Sequence, residues 1–491
     1  MNSMSSQMAA AFAQASPRHR RRAVPWISVV IGSIGPILFL ILTAQAFLRS
    51  SIAGWAVGIV YILYDTFLLG FTARQIRSLI ASENAATALP DDAPRPSLGV
   101  IIAARNEAPV LGITIDTLAD QDGAPDLILL ADDGSNDDSP AVMKALYGLE
   151  PPMLGTISPP SPVRPNLRWL RLPHGGKARA LNAALPLIDT EVVVTLDADT
   201  LLAPGALKAM RDAFAAEPQL VAATGVLTPI CGKSPMARAF QWFQSYEYVR
   251  NFLSRYAWMG QNALLLISGA FAGFRRDAVM EVGGFDDDCM VEDYELIHRL
   301  HRHAHDTCQD WTVRVIGHAL ASTDAPAGPM AFLRQRRRWF GGFLQTQRWN
   351  RDMVGNAAYG RLGTRMLPVK ALDTVQPIYG MAAFLILIYL IATGRFYAAG
   401  PIIAIMLAKV AVDLTFHIWS IGIYKRWTGQ TEGLDLGPAL LASFVEPFCF
   451  QLLRHAGAIW GWVAFLQGGG SWGRMHRTAL TARVEEAQAG A

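Results

Sequence analysis

Glu191-Val192-Val193-Val194-Thr195-Leu196-Asp197-Ala198-Asp199 points to a particular class of fold more directly than any other segment. A short, largely β-branched apolar run ends abruptly on carboxylates. It is too short for a buried helix, and its lack of alternation predicts a strand covered on both faces. Two earlier runs have the same form. Leu98–Ala103 leads to Arg105-Asn106-Glu107, and Leu127–Ala131 leads to Asp132-Asp133-Gly134-Ser135. Residues 107–120 and 138–148 between them carry helical patterns. Strands alternating with helices predict βαβ units and a parallel α/β sheet. Each strand ends on polar residues, and open α/β sheets bind ligands at those ends.

Neither a G-x-G-x-x-G nor a G-x-x-x-x-G-K-[ST] run follows these strands, so the usual dinucleotide and P-loop sites are excluded. The Asp132–Ser135 segment reads either as a turn and helix cap or as a seat for a nucleotide base or ribose. Asp197 and Asp199, with side chains expected on the same side of a strand, would make a hard-oxygen site for Mg²⁺ or Mn²⁺. Asp293 is expected at the start of a helix over Tyr294–His303, where it acts either as a cap or as a general base. Trp339 offers a face to a sugar ring or sits at a membrane interface. Arg334, Arg336 and Arg337 are expected to contact surface or headgroups. His298, His301, His303 and His305 lack the partners of a zinc site.

Outside this polar region the chain is apolar. Of its 491 residues 52% are hydrophobic and only 17% charged, with mean hydropathy +0.24. That suits a mixed membrane and soluble protein. The net charge of +3 gives no support to a nucleic-acid partner. Cys231, Cys289, Cys308 and Cys449 form no C-x-x-C pair, so reduced thiols are expected.

Residues 26–48 are uncharged and long enough to cross a bilayer, and 52–71 form a second span. No cleavage site follows the first, which excludes a signal peptide. Spans are also expected at 376–393 and 398–423. Arg18, Arg20, Arg21 and Arg22, then Arg74 and Arg77, then Lys425 and Arg426, would all lie on the cytoplasmic side. Lys409, Asp413 and His417 share one helical face, either pairing with each other or bordering a polymer path. Residues 437–466 are interrupted by Glu446-Pro447 and Arg454-His455. They read as a short inserted segment and then an interfacial helix over 448–466, with Trp460 and Trp462 near headgroups. The basic tail Arg474, His476, Arg477 and Arg483 would remain inside. The expected organisation is a basic N-terminus (1–25), two membrane helices (26–73), a cytoplasmic domain (95–330) entered by the linker Leu89–Ser97, interfacial helices (331–370), further membrane or interfacial helices (376–466) and a tail (467–491).

Asp132-Asp133-Gly134, Gly176-Lys177-Ala178 with Leu181-Asn182, Asp197-Ala198-Asp199, Glu292-Asp293 and Gln335–Trp339, which fits Q-x-x-R-W, occur in that order. Together they resemble the processive, membrane-embedded members of glycosyltransferase family 2, such as cellulose, chitin, hyaluronan and poly-N-acetylglucosamine synthases. The resemblance covers about residues 95–345 and the flanking spans. It implies a GT-A (Rossmann-like) fold. Asp133, with Asp132 beside it, would contact uridine, and Lys177 would lie near the diphosphate. Asp199, with Asp197, would bind metal. Asp293 would be the general base. Gln335, Arg338 and Trp339 would hold diphosphate and acceptor sugar, and Ser268-Gly269-Ala270-Phe271 would line the acceptor pocket. The chain departs from cellulose synthases in having no F-x-V-T-x-K motif after Trp339 and no cyclic-di-GMP-binding domain.

The implied activity is inverting transfer from a UDP-sugar to a growing β-linked glycan, coupled to export across the inner (plasma) membrane. The implied partners are donor, glycan acceptor, lipid bilayer and accessory export subunits. The alternative is a single transfer to a lipid or lipid-linked acceptor, and a third reading is an inactive membrane scaffold or transporter.

Overall fold

The computed structural model describes residues 2–20, 22–49, 51–82, 89–90, 93–430, 434 and 436–468. Arg21, Ser50, the linker residues Asp91 and Asp92, and the basic tail lie outside the described residues.

The three apolar runs are strands: β1 (Leu98–Ala104), β2 (Leu127–Asp132) and, after the short β3 (Thr156–Ile157) and β4 (Leu167–Arg171), β5 (Val192–Asp197). Then come β6 (Thr200–Leu202), β7 (Leu220–Ile230), β8 (Phe271–Arg275) and β9 (Thr312–Asp324). They form one sheet in the order β3-β4-β2-β1-β5-β8-β7-β9-β6. β4, β2, β1 and β5 are mutually parallel, whereas β8 runs antiparallel to both β5 and β7. The register aligns Ala104 with Asp132 and Ala103 with Asp197. The carboxyl ends of β1, β2 and β5 therefore stop at one level, and their polar residues face one crevice. β1 lies between β2 and β5, so the chain leaves it in one direction and later returns on its other side. That is the switch point at which such sheets open a ligand site.

Among the described residues four helices are long and apolar enough to cross a membrane: Trp26–Leu48, Ile52–Leu79, Leu362–Ala392 and Phe396–Thr428. Leu40, Ile41 and Phe47 on the first are largely exposed, as a lipid-facing surface requires. Lys409 pairs with Asp65 across two of these helices (2.6 Å) and with Asp413 one turn on. Of the two readings of this charged face, the structure shows mutual pairing, with His417 joined to Ser443 (2.6 Å).

Residues 436–466 are broken, as the interruptions predict, into helices Leu436–Val445 and Phe450–Leu466 around a tight turn at Glu446–Phe448. The second helix packs against helix Pro329–Trp349. Gly457 and Gly461 permit this: a Cβ there would lie 2.6 Å from Arg336 and 2.8 Å from Phe340. Of the two tryptophans expected near headgroups, Trp462 instead donates its indole N–H to the Thr374 carbonyl (2.7 Å), whereas Trp460 is exposed and lies under Arg337 (5.1 Å).

The N-terminal segment packs on the domain. Residues Asn2–Ala15 are helical and dock on the domain, with Met8 buried and Phe12 under the Arg299 guanidinium (4.7 Å). Arg18 reaches Asp286 (2.6 Å) and Asp288 (2.5 Å), and Arg22 pairs with Asp306. Arg18 and Arg22 thus tie the N-terminal segment to the residues on either end of helix Glu292–Asp306, besides flanking the first span. Gly283, at φ +85°, lets the chain pass against Phe12, because a side chain there would meet the Phe12 backbone at 2.2 Å.

Candidate active site

The sheet crevice continues into one cleft of about 1330 Å³ that reaches the membrane helices. It is lined by Asp133, Lys177, Asp197, Asp199, Asp293, Gln335, Arg338 and Trp339, and at its far end by Asp65 and Phe416. It is large for a single small ligand and has room for a donor and an acceptor together.

Asp133 follows β2. Its carboxylate accepts hydrogen bonds from the Gly175 (2.7 Å) and Gly176 (3.1 Å) backbone N–H groups and pairs with His174 Nδ1 (2.8 Å). Gly134 is at φ +73°, with His174 N 2.7 Å from where a Cβ would stand, so glycine is required at this turn. Asp132 is buried and accepts from the Ser135 N–H (2.8 Å). It builds the turn that presents Asp133.

Lys177 opens helix Lys177–Ala184. Its ammonium lies 2.5 Å from Asp197 Oδ1, 3.0 Å from the Gly269 carbonyl and 3.7 Å from Glu292. Burial alone would lower its pKa, but the Asp197 and Glu292 carboxylates outweigh burial and raise it. Burial pushes Glu292 up, against the pull of Lys177. The expectation for Asp197 and Asp199 needs adjusting. β5 ends at Asp197 and Ala198-Asp199 form a turn, so the two do not alternate along one strand. Both still line the cleft, Asp197 held by Lys177 and Asp199 almost wholly buried. Two carboxylates at one strand end, one of them desolvated, are a donor set that fits a hard divalent cation.

Asp293 lies in the first turn of helix Glu292–Asp306 but does not cap it; the N-cap position is Val291. Its Oδ2 accepts from the Gly269 N–H (2.7 Å) and its Oδ1 from the adjacent Tyr294 N–H (2.8 Å). A Cβ on Gly269 would stand 2.9 Å from that carboxylate, so the Ser268–Phe271 segment approaches only because residue 269 is glycine.

Gln335, Arg338 and Trp339 fall at i, i+3 and i+4 on helix Pro329–Trp349 and share the face turned to the cleft. Arg336 is a correction. It is 3% exposed and makes a bidentate pair with Glu247 (2.7 and 2.8 Å), its guanidinium 4.4 Å from both the Phe332 and Trp339 rings. Sequence reasoning missed Glu247, Arg250 and Arg255 of helix Pro235–Met259, which also line the cleft. A buried charge in an amphipathic pattern was the available signal, diluted by that helix's many polar residues.

The four histidines are dispersed. His298 Nδ1 bonds the Tyr294 carbonyl (2.8 Å), His301 the Leu264 carbonyl (3.0 Å), and His303 stacks on Trp311. Burial lowers the His298 pKa to about 3, whereas an unfolded histidine titrates near 6.5. Between these values the unfolded state binds the extra proton. Stability is therefore full above about 6.5 and falls on acidification toward 3, by up to about 1.4 kcal/mol per pH unit. Melting temperatures measured across that window should show a slope that His298→Asn reduces.

Two family profiles match. Glycosyl transferase family 2 matches residues 99–283, and Glycosyl transferase family group 2 matches residues 192–407. Together the two matches run from residue 99 to 407, over the sheet and the cleft, and they support a glycosyltransferase of the family 2 type with membrane helices; its domain is a GT-A-like mixed α/β sheet. It is similar to a poly-beta-1,6-N-acetyl-D-glucosamine synthase of Staphylococcus aureus, 27% identical over 216 residues, 44% of this chain and 48% of that protein. It is also similar to a beta-monoglucosyldiacylglycerol synthase of Nostoc sp., 23% identical over 350 residues, 69% of this chain and 64% of that protein. The chain thus spans about half the length of the first of these relatives. Among solved structures, a mannosyltransferase of Pyrobaculum calidifontis in complex with GDP-Man and Mn²⁺ superposes with a TM-score of 0.51 at 20% identity, covering 80% of this chain and 99% of that one. That likeness is one of fold.

Proposed function

We propose that this protein transfers a sugar, with inversion, from a UDP-sugar to a growing β-linked glycan, and that the product leaves through the membrane region. The observation that carries the reading is the single cleft joining Asp133, Asp199 and Asp293 to Trp339 and on to Asp65 between the membrane helices. Asp133 would receive the uridine at the sheet crevice. Lys177 and Arg338 would neutralise the diphosphate as it leaves. Asp293, fixed by the Gly269 N–H, would take the proton of the attacking hydroxyl. Trp339, backed by the Arg336–Glu247 pair, would stack on the acceptor sugar. Asp199, with Asp197, would hold Mg²⁺ or Mn²⁺. Such an ion stabilises charge developing on a leaving phosphate.

A panel of nucleotide sugars tested for nucleotide release by the purified protein decides the donor. No release with any of them would sink the reading. Chelation by EDTA should abolish release, and added Mg²⁺ or Mn²⁺ should restore it; full activity after chelation would remove the metal from the scheme. The similarity to a glycolipid synthase supports a second reading, one sugar added to a lipid or lipid-linked acceptor. A polymer in the product, as against a single-sugar adduct, separates the two.

The donor is a cytosolic molecule, so we place the catalytic domain inside an inner (plasma) membrane, with accessory export subunits as partners. In a cysteine-free background, an impermeant thiol reagent on intact cells should label a cysteine at Gly394 and spare one at Ser135. The opposite pattern would reverse the topology.

A further inference from the structure

We propose that Arg255 receives an anionic oxygen group of the acceptor, a carboxylate or a phosphate, beside Asp293. The inference rests on the glycosyl-transfer reading above and adds the chemical class of the acceptor.

Arg255 lies on helix Pro235–Met259, lines the cleft and sits over the Phe252 ring at 4.5 Å. Its Nε and Nη1 are buried, with no hydrogen-bond acceptor among the described residues. Several other cations of the cleft are matched within the protein: Arg336 by Glu247, Lys177 by Asp197, Lys370 by Asp373, and Arg454 by Glu446. Among the described residues no carboxylate stands within ion-pair distance of Arg255. Burial lowers its pKa to about 10, with Asp293 and then Tyr248 acting in the other direction. It is therefore still a cation at neutral pH.

A guanidinium has five donors, and withdrawing them from water without acceptors is costly. A planar fork in that state is suited to a carboxylate or phosphate supplied by a ligand. The position argues for the acceptor over the donor. The donor end of the cleft is marked by Asp133, Lys177, Asp197 and Asp199, at or just beyond the ends of β2 and β5 and at the start of helix Lys177–Ala184, whereas Arg255 lies on a different element. Its helix instead runs along membrane helix Ile52–Leu79, with Arg250 3.9 Å from Asp65 and Trp258 against Phe71 (4.6 Å). An anionic acceptor arriving from that side would meet the Asp293 carboxylate, and Arg255 would offset the repulsion.

The test compares wild type, Arg255→Met and Arg255→Lys, each first checked for an unchanged melting temperature. Three acceptor probes are used: a neutral β-linked oligosaccharide, the same oligosaccharide ending in a uronate, and phosphatidylglycerol in phosphatidylcholine vesicles. Equilibrium binding is measured without donor, and KM for donor and acceptor is measured during turnover. Wild type should bind one anionic probe about 10- to 150-fold more tightly than its neutral counterpart, the range expected for hydrogen bonds to a charged group. Arg255→Met should lose that preference and raise acceptor KM with donor KM unchanged. Arg255→Lys should retain part of it. Preference for the uronate identifies a carboxylate on the glycan; preference for the vesicles identifies a lipid phosphate. Equal binding of neutral and anionic probes by wild type, or a rise confined to donor KM, would overturn the proposal. Because the binding arm needs no turnover, it decides the role of Arg255 even if no nucleotide sugar is consumed.

Discussion

Asp293→Asn is expected to lower sugar transfer by a factor of about 10²–10⁴ or more while donor binding stays near the wild-type value. Asparagine keeps the shape, and its carbonyl oxygen can still accept the Gly269 N–H that now reaches Asp293 Oδ2 at 2.7 Å. What it loses is the ability to take a proton from the attacking hydroxyl. The donor contacts proposed for Asp133 and Lys177 lie on other elements, and Lys177 keeps its bonds to Asp197 and the Gly269 carbonyl. The measurement is nucleotide release at saturating donor and acceptor, beside donor affinity by equilibrium binding. Release close to wild type would reduce Asp293 to an anchor for the Ser268–Phe271 segment.

Glu247→Gln should be the most damaging change away from the reacting groups. It leaves the Arg336 guanidinium, 3% exposed, without its carboxylate. Removing one partner of a buried ion pair costs about 3–5 kcal/mol, whereas replacing both by apolar groups is often neutral. The single variant should melt far lower than wild type in detergent. The double variant Glu247→Leu/Arg336→Met should recover most of the loss, since Arg454 keeps Glu446 at 3.3 Å. The double variant should not recover full activity, because Trp339 then loses the guanidinium packed on its ring at 4.4 Å. Equal melting temperatures for Glu247→Gln and wild type would mean the pair is solvated and has no such role.

The parallel half of the sheet was readable because β1, β2 and β5 are continuous aliphatic runs that end on charged residues, and burial on both faces leaves no other use for them. β6, β7 and β9 were not readable. β9 alternates in burial and depends on β7, ninety or so positions earlier in the chain, for its pairing. The helical face of Gln335, Arg338 and Trp339 follows from spacing alone. The burial of Arg336 does not, because its partner Glu247 lies 89 residues away, and no local pattern distinguishes it from the arginines on either side. Asp132 and Asp133 are chemically identical neighbours; only the direction of the chain after β2 decides which one faces the cleft. The N-terminal helix had no legible signal, since its few apolar side chains acquire meaning only against Gly283 and Arg299.

The pairing of Lys409 with Asp65 has a consequence for how the protein is made. Asp65 lies midway along the second membrane helix and Lys409 on the fourth, with the whole catalytic domain synthesised between them. An ionised side chain at the centre of a helix costs about 2.5–3.5 kcal/mol on membrane insertion. The nascent N-terminal hairpin therefore carries Asp65 without Lys409 until the fourth of these helices is made, and Arg250 of the intervening domain, 3.9 Å from Asp65, is the other cation in reach. A chain arrested before Phe396 would lack that lysine and expose an intramembrane acid, the kind of mark by which a cell's quality control recognises an unfinished membrane protein.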